Sequence, residues 1–550
     1  MDFANQDFSG CAVTGVAAGG LPVIGQMRDV GGGASTCDFD LAAMRQLESH
    51  GDACVATAGQ IGSQVKIRVG QSWLLGNVRE LRACGTDGSH ITGQIDFLGE
   101  GSEASSGDLT GFRRGVTRYP VPGAAVWPVT RRDLAAVFEA VDQPHIEIGM
   151  VYPTADVRAS LLYDSLLGKH FALLGSTGTG KSTATALILH RIVERAPHGH
   201  ILMLDPHGEY AAAFASTGMI FDVDNLALPY WLMNFEEHCE VFVTSEGAQR
   251  EVDCDILAKV LLGARARNRI AQTLGKLTVD SPVPYLLSDL LMSLSALMGK
   301  LDKMGDLAPY MRLKTKIEEL KGDPRYAFMF SGLMVSDTMG PFISRVFRLP
   351  ADGKPISILN LSGVPSDILT TVVAMLSRLV FDYAIWSRQE SPQPILLVCE
   401  EAHRYVPSDR VETGAAVRKI LERIAKEGRK YGVSLGLITQ RPSDLAEGVL
   451  SQCGTIIAMR LNNDRDQAYV RNAMPEGARG FLDSIPALRN RECIICGEGV
   501  SIPIRVRLDD LAPELRPASA DPRFSELWAA PSGDAGSLDR IIHRWRGQGR

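Results

Sequence analysis

Gly175, Gly178, Gly180, Lys181 and Ser182 fall in the order G-x-x-x-x-G-K-S, and those types at that spacing suit the handling of phosphate. The glycines let the backbone curl until successive N–H groups point inward at phosphate oxygens. Lys181 then reaches the β- and γ-phosphates, and the Ser182 hydroxyl completes a Mg²⁺ shell. Thr177, Thr179 and Thr183 belong to the same loop and helix start, so they are read with it as nucleotide-contacting residues. The flanks support this reading. Phe171-Ala-Leu-Leu174 has the character of a buried strand, and Ala184, Leu187, Ile188 and Ile192 share one helical face after the loop. A strand, a glycine loop and a helix whose positive end faces the loop form a site for a nucleoside triphosphate. The cofactors expected are ATP and Mg²⁺.

Hydrolysis needs a carboxylate to orient the metal and a base to position water. Glu400 and Glu401 follow the apolar run Pro394-Ile-Leu-Leu-Val-Cys399. Glu400 suits the metal shell beside Ser182, and Glu401 suits the attacking water. Gln440, after Val433-Ser-Leu-Gly-Leu-Ile438, suits a side chain that reads the γ-phosphate. Positive charge for the transition state often comes from a neighbouring subunit, and Arg423 and Arg429 are the arginines placed for that task.

These residues need a scaffold of strands alternating with helices. The pattern predicts an α/β fold: a P-loop ATPase core with a mostly parallel sheet, an inserted helical subdomain and an N-terminal small β-barrel. Residues 1–45, rich in Gly and Ala, read as flexible, and 46–128 as the barrel. In that barrel Val65, Ile67 and Val69 alternate with Lys66 and Arg68. Residues 129–234 form the first part of the core, beginning with a connector that carries a helix over Arg132–Val141. Residues 235–335 carry helical periodicity, 336–510 complete the core, and 511–550 are a mixed-charge tail.

The balance of 57 Lys+Arg against 64 Asp+Glu, a net charge of −7, excludes a uniformly basic surface but not positive charge confined to the pore of a ring. Ten cysteines in 550 residues do not make a disulfide framework, and Cys493-Ile-Ile-Cys496 stands without a second pair. The five histidines from His190 to His238 lack ligand spacing and read as structural. No uninterrupted run of eighteen apolar residues and no signal peptide is present, so the expectation is a cytoplasmic protein with no membrane part.

Taken together, GSTGTGKST, DPHGEY, EEAHRYVP, EGRKYGVSLGLITQRPSDL and FRRGVTRYPVPG resemble the HerA family of hexameric, FtsK-like, DNA-translocating ATPases. The resemblance runs from about residue 60 to about 530. It implies a RecA-like core assembled as a homo-hexamer with ATP sites at subunit interfaces, with Glu400 as the metal-orienting acid, Glu401 as the catalytic glutamate and Gln440 as the sensor. It leaves the arginine finger open between Arg423 and Arg429. It also implies double-stranded DNA as substrate, and a separate nuclease or NADase-type effector docked on the barrel face, in DNA end processing or antiphage defence. The segments 265–269 and 460–465 offer arginines for a pore. The alternatives are a ring scaffold, gated by ATP, that regulates an effector, and a secretion or conjugation ATPase.

Overall fold

Two runs of short strands, one ahead of the glycine loop and one around it, build two sheets. The computed structural model describes residues 20–32, 34–84, 90–139, 142–299, 307–330, 337–408, 414–474, 479–518, 524–529 and 536–546. The first sheet contains β1 (Gly25–Asp29), β2 (Ser35–Phe39), β3 (Gln64–Val69), β4 (Ser72–Cys84), β5 (His90–Glu103), β6 (Leu109–Arg114) and β7 (Ala125–Pro128). Its order is β2-β1-β7-β3-β4-β5-β6, and an added β2–β5 pairing closes six strands into a barrel. The long β5 serves two partners on one side: Ile91–Ile95 pair with β2, and Gly99–Glu103 pair with β6. Closure removes the exposed edges that would otherwise invite pairing. Ile24, Met27, Val65, Ile67, Leu74 and Ile95 fill the interior.

The barrel therefore starts near residue 24 and not at 46. β1, β2 and the helix Leu41–Leu47 come from the stretch whose Gly and Ala content suggested flexibility, while residues 1–19 lie outside the described residues. Lys66 also departs from simple alternation. It is buried, with Nζ 2.9 Å from Asp133 Oδ2 and above the Trp73 ring. Asp133 lies in the first turn of the helix Arg131–Phe138 and closes its capping box with Thr130, so this buried pair ties the barrel wall to the connector.

The second sheet adds β8 (His145–Val151), β9 (Arg158–Leu162), β10 (Phe171–Leu174), β11 (His200–Asp205), β12 (Gly218–Phe221), β13 (Ile356–Asn360), β14 (Ile395–Cys399), β15 (Val433–Thr439), β16 (Thr455–Met459), β17 (Glu492–Gly497) and β18 (Ile504–Leu508). Its order is β12-β13-β11-β14-β15-β10-β16-β17-β18-β8-β9. The seven strands from β12 to β16 are parallel, and the last four are antiparallel. The connector thus does more than connect, because β8 and β9 extend the ATPase sheet at its antiparallel edge.

Between β12 and β13 lie the helices Phe235–Phe242, Gly247–Arg265, Leu287–Met298 and Leu307–Gly322, which form the inserted helical part. One helix, Ser366–Gln389, is long and apolar enough by composition to cross a membrane. Val372, Val373, Leu376 and Val380 on it are fully buried, which makes it a core helix of this fold. Cys493 and Cys496 are buried in β17, where burial pushes both thiols up and keeps them unreactive. No group of three or more His, Cys, Asp or Glu fit to hold a metal occurs among the described residues. His190, His200 and His238 bond backbone carbonyls as structural residues do.

Candidate nucleotide site

Parallel register decides what meets at the glycine loop. β10 lies between β15 and β16, with Leu174 level with Thr439 on one side and Ala458 on the other. Residues that follow these strands must therefore converge at their carboxyl ends, where ligands of open α/β sheets bind. Gly175 N donates to Thr439 O, and Ser176 N donates to Arg460 O, so the loop is pinned from both flanks. Gly178 and Gly180 take φ of +78° and +93°, a region that favours glycine. Gly175 is needed for space instead, since a Cβ there would lie 2.9 Å from Met459 Cβ. The helix Lys181–Arg195 starts at Gly180.

Lys181 Nζ lies 2.8 Å from Glu400 Oε1 and 3.2 Å from Glu401 Oε1, and all three side chains are buried. Burial alone would pull the Lys181 ammonium down, but Glu400 and Glu401 beside it raise it above the usual lysine value. Burial pushes the Glu400 carboxyl up to about 7, against the pull of Lys181. The Tyr210 hydroxyl donates to Glu400 Oε2 at 3.0 Å, and burial holds that phenol neutral, well above its ordinary value. Glu401 sits at φ +52°, a left-handed conformation that is costly for a residue with a Cβ. That conformation turns the carboxylate at the end of β14 toward the loop.

Gln440 follows β15 directly, and its Oε1 accepts from the Thr177 hydroxyl of the loop. Gln440 and Thr177 border a polar cleft of about 450 Å³ together with Ser176, Arg441, Asn463 and Arg465. Thr179 is fully buried, its hydroxyl donating to Ser176 O at 2.8 Å. The structure thus brings Gly175, Thr177, Gly178, Thr179, Gly180, Lys181, Ser182, Thr183, Glu400, Glu401 and Gln440 to one end of one sheet.

Arg423 and Arg429 are not among them. Arg423 stacks on Phe381 at 4.8 Å and pairs with Glu427 at 3.4 Å. Arg429 precedes β15 and lines an apolar groove with Arg195, His198 and Pro394 at the opposite, amino-terminal ends of the strands. Along β15 that places Arg429 roughly 20 Å from the loop at ~3.3 Å per residue, out of reach of its own chain's nucleotide. The pore arginines also need revision. Arg265 is fully buried, and its guanidinium donates to the carbonyls of Trp231, Met233 and Val279, which removes it from any DNA path. Arg460 donates to Leu488 O and Asn490 Oδ1 beside the loop.

Four residues escaped the sequence reading. Ser182 Oγ donates to Glu209 Oε2 at 2.8 Å, so a second carboxylate stands at the metal-binding hydroxyl. Ser182, Glu209 and Glu400 offer the hard oxygen donors that suit Mg²⁺. Asp205, at the end of β11, accepts from the backbone N–H of His207, Gly208 and Tyr210, and this turn is what presents Glu209 and Tyr210. Arg491 N donates to Thr179 O at 3.2 Å, from the turn before β17. His403 stands 3.2 Å from Glu401 Oε2. The strings DPHGEY and EEAHRY were visible, but which of their polar residues face the loop depends on turns that periodicity does not reveal.

The pattern of the central domain of the helicase HerA matches residues 146–380. The chain is 28% identical over 432 residues to the DNA double-strand break repair helicase HerA of Pyrococcus furiosus, covering 72% of this chain and 74% of that protein. It is 29% identical over 420 residues to the protein of the same name in Sulfolobus acidocaldarius, covering 74% and 77%. Among solved structures, VirB4 of Thermoanaerobacter pseudethanolicus aligns at a TM-score of 0.49 and 14% identity, over 68% of this chain and 98% of that one.

Proposed function

We propose that the chain is a P-loop ATPase of the HerA family, as the match of residues 146–380 to the HerA central domain supports, and that it is an ATP-driven motor on double-stranded DNA. The observation that carries the reading is the convergence of Lys181, Glu400, Glu401 and Gln440 at one end of the sheet. In this reading Lys181 and the loop N–H groups hold the phosphates, and Ser182 and Glu400 hold Mg²⁺, which neutralises charge on the phosphoryl oxygens. Glu401 accepts the proton of the attacking water, and Gln440 places its amide against the γ-phosphate. The names of the two archaeal relatives, both DNA double-strand break repair helicases, support duplex DNA as the substrate.

The motor works as a homo-hexamer in the cytoplasm, with a separate nuclease or NADase-type effector on the barrel face, in end processing or antiphage defence. In that assembly Arg423 and Arg429, which lie outside their own site, are the arginines offered to a neighbouring subunit's nucleotide. Filter binding of linear duplex DNA across a salt series, with sedimentation of the same sample, tests the reading. A particle of six copies whose log affinity falls linearly with log salt is expected, as for a pore that follows phosphates. Duplex binding that is absent at low salt would leave a ring that controls a partner protein, and the motor would be dropped.

A further inference from the structure

Lys181 bridges Glu400 and Glu401, and in the proposed reading the same ammonium is also drawn to the phosphates, which loosens its hold on Glu401. Glu401 then needs another group to hold its carboxylate on the attacking water. Its second oxygen, Oε2, is buried and makes no hydrogen bond. The ring atom beside that oxygen is His403 Nδ1, at 3.2 Å, where a small rotation of the imidazole completes the bond. The same Nδ1 lies 3.0 Å from Thr439 Oγ1. Thr439 is fully buried at the end of β15, and its hydroxyl oxygen accepts from Arg441 N at 3.0 Å. Gln440 stands between those two residues and takes the Thr177 hydroxyl from the glycine loop.

An unbroken chain of contacts therefore runs from the loop through Gln440 and Thr439 to His403 and Glu401. One ring nitrogen has two oxygens within reach. As a donor, Nδ1–H can serve Glu401 Oε2 or Thr439 Oγ1; as an acceptor it can take only the Thr439 hydroxyl hydrogen. A shift of the β15 tip that moves Thr439 changes which oxygen the imidazole serves.

We propose that His403 is a positioning residue that holds Glu401 during hydrolysis and links the base to the Thr439-Gln440 sensor tip. The inference rests on the assignment of Glu401 as the base and does not depend on DNA. His403 does not touch substrate; it fixes the carboxylate through Nδ1–H. Asparagine, whose Nδ2 stands near the position of the ring Nδ1, preserves that donor, and alanine removes it.

The test compares wild type, His403→Ala, His403→Asn and Glu401→Gln, in ATP turnover without DNA and in equilibrium binding of a fluorescent N-methylanthraniloyl ATP. The expected result is a kcat reduced about 10- to 100-fold in His403→Ala, with the analogue's Kd within about threefold of wild type. His403→Asn is expected to recover most of the turnover. Adding His403→Ala to Glu401→Gln is expected to cost nothing further, because both act through one carboxylate. The proposal is overturned if His403→Ala turns over like wild type, if Kd weakens in step with kcat, or if asparagine rescues no better than alanine. Full activity in Glu401→Gln would instead remove the base assignment itself, which separates the two failures.

Discussion

Replacement of Glu400 by Gln should flatten part of the protein's stability against pH. Burial raises the Glu400 carboxyl from 4.5 to about 7 in the folded chain, even with Lys181 alongside. At about 1.4 kcal/mol per unit, the ionised form is disfavoured by folding by about 3 kcal/mol. The sign is opposite to that of an ordinary salt-bridged carboxylate. Between 4.5 and 7 the folded chain binds the proton more tightly than the unfolded chain, so stability falls as pH rises through that window. At low pH the group costs nothing, and well above 7 it costs the full amount. Integrated from pH 5.5 to 8.5, the wild type should lose about 2 kcal/mol more than Glu400→Gln, whose amide does not titrate. Ionisable groups away from Glu400 are common to both proteins and cancel in the difference, and Lys181, which loses Glu400 in the variant, keeps Glu401 beside it. Urea unfolding in the absence of nucleotide and divalent ions, at those two pH values, measures it. Parallel stability curves for the two proteins, or a wild type that gains on Glu400→Gln as pH rises, would refute the reasoning.

Asp133→Ala should destabilise the barrel and connector by about 3–5 kcal/mol, since it strands the buried Lys66 ammonium and the backbone N–H of Leu109. Urea unfolding followed by tryptophan fluorescence, to which Trp73 and Trp127 of the barrel contribute with rings that meet edge to face at 5.3 Å, checks that loss. Glu209→Gln should raise the Mg²⁺ concentration for half-maximal ATP turnover by about tenfold, through its contact with the Ser182 hydroxyl. A Mg²⁺ titration at saturating ATP checks this, and an unchanged midpoint would remove Glu209 from the metal site.

What could be read in the chain depended on whether its physics was local. The loop from Gly175 to Ser182, the strands ending at Glu400 and Gln440, and the long helices of the insert all follow from short-range pattern, and they stand where the spacing placed them. The barrel's first strands did not show, because Gly25–Asp29 and Ser35–Phe39 are short and owe their order to pairing with β7 and β5. Lys66 read as the polar side of an alternating strand and Arg265 as a pore charge, yet both are buried. Their partners, Asp133 and the carbonyls of Trp231 and Met233, lie from 32 to 67 residues away. His403 was hidden for the same reason, since Thr439 approaches it only through the sheet order that sets β15 beside β14.

The most direct measurement is steady-state ATP hydrolysis by the wild type and by Glu401→Gln, each with and without linear duplex DNA at low salt. Turnover that rises with DNA and falls about 100-fold or more in Glu401→Gln, both with and without DNA, is the predicted result. Turnover in Glu401→Gln equal to wild type would contradict the assignment of the base, and wild-type turnover indifferent to duplex DNA would contradict the motor.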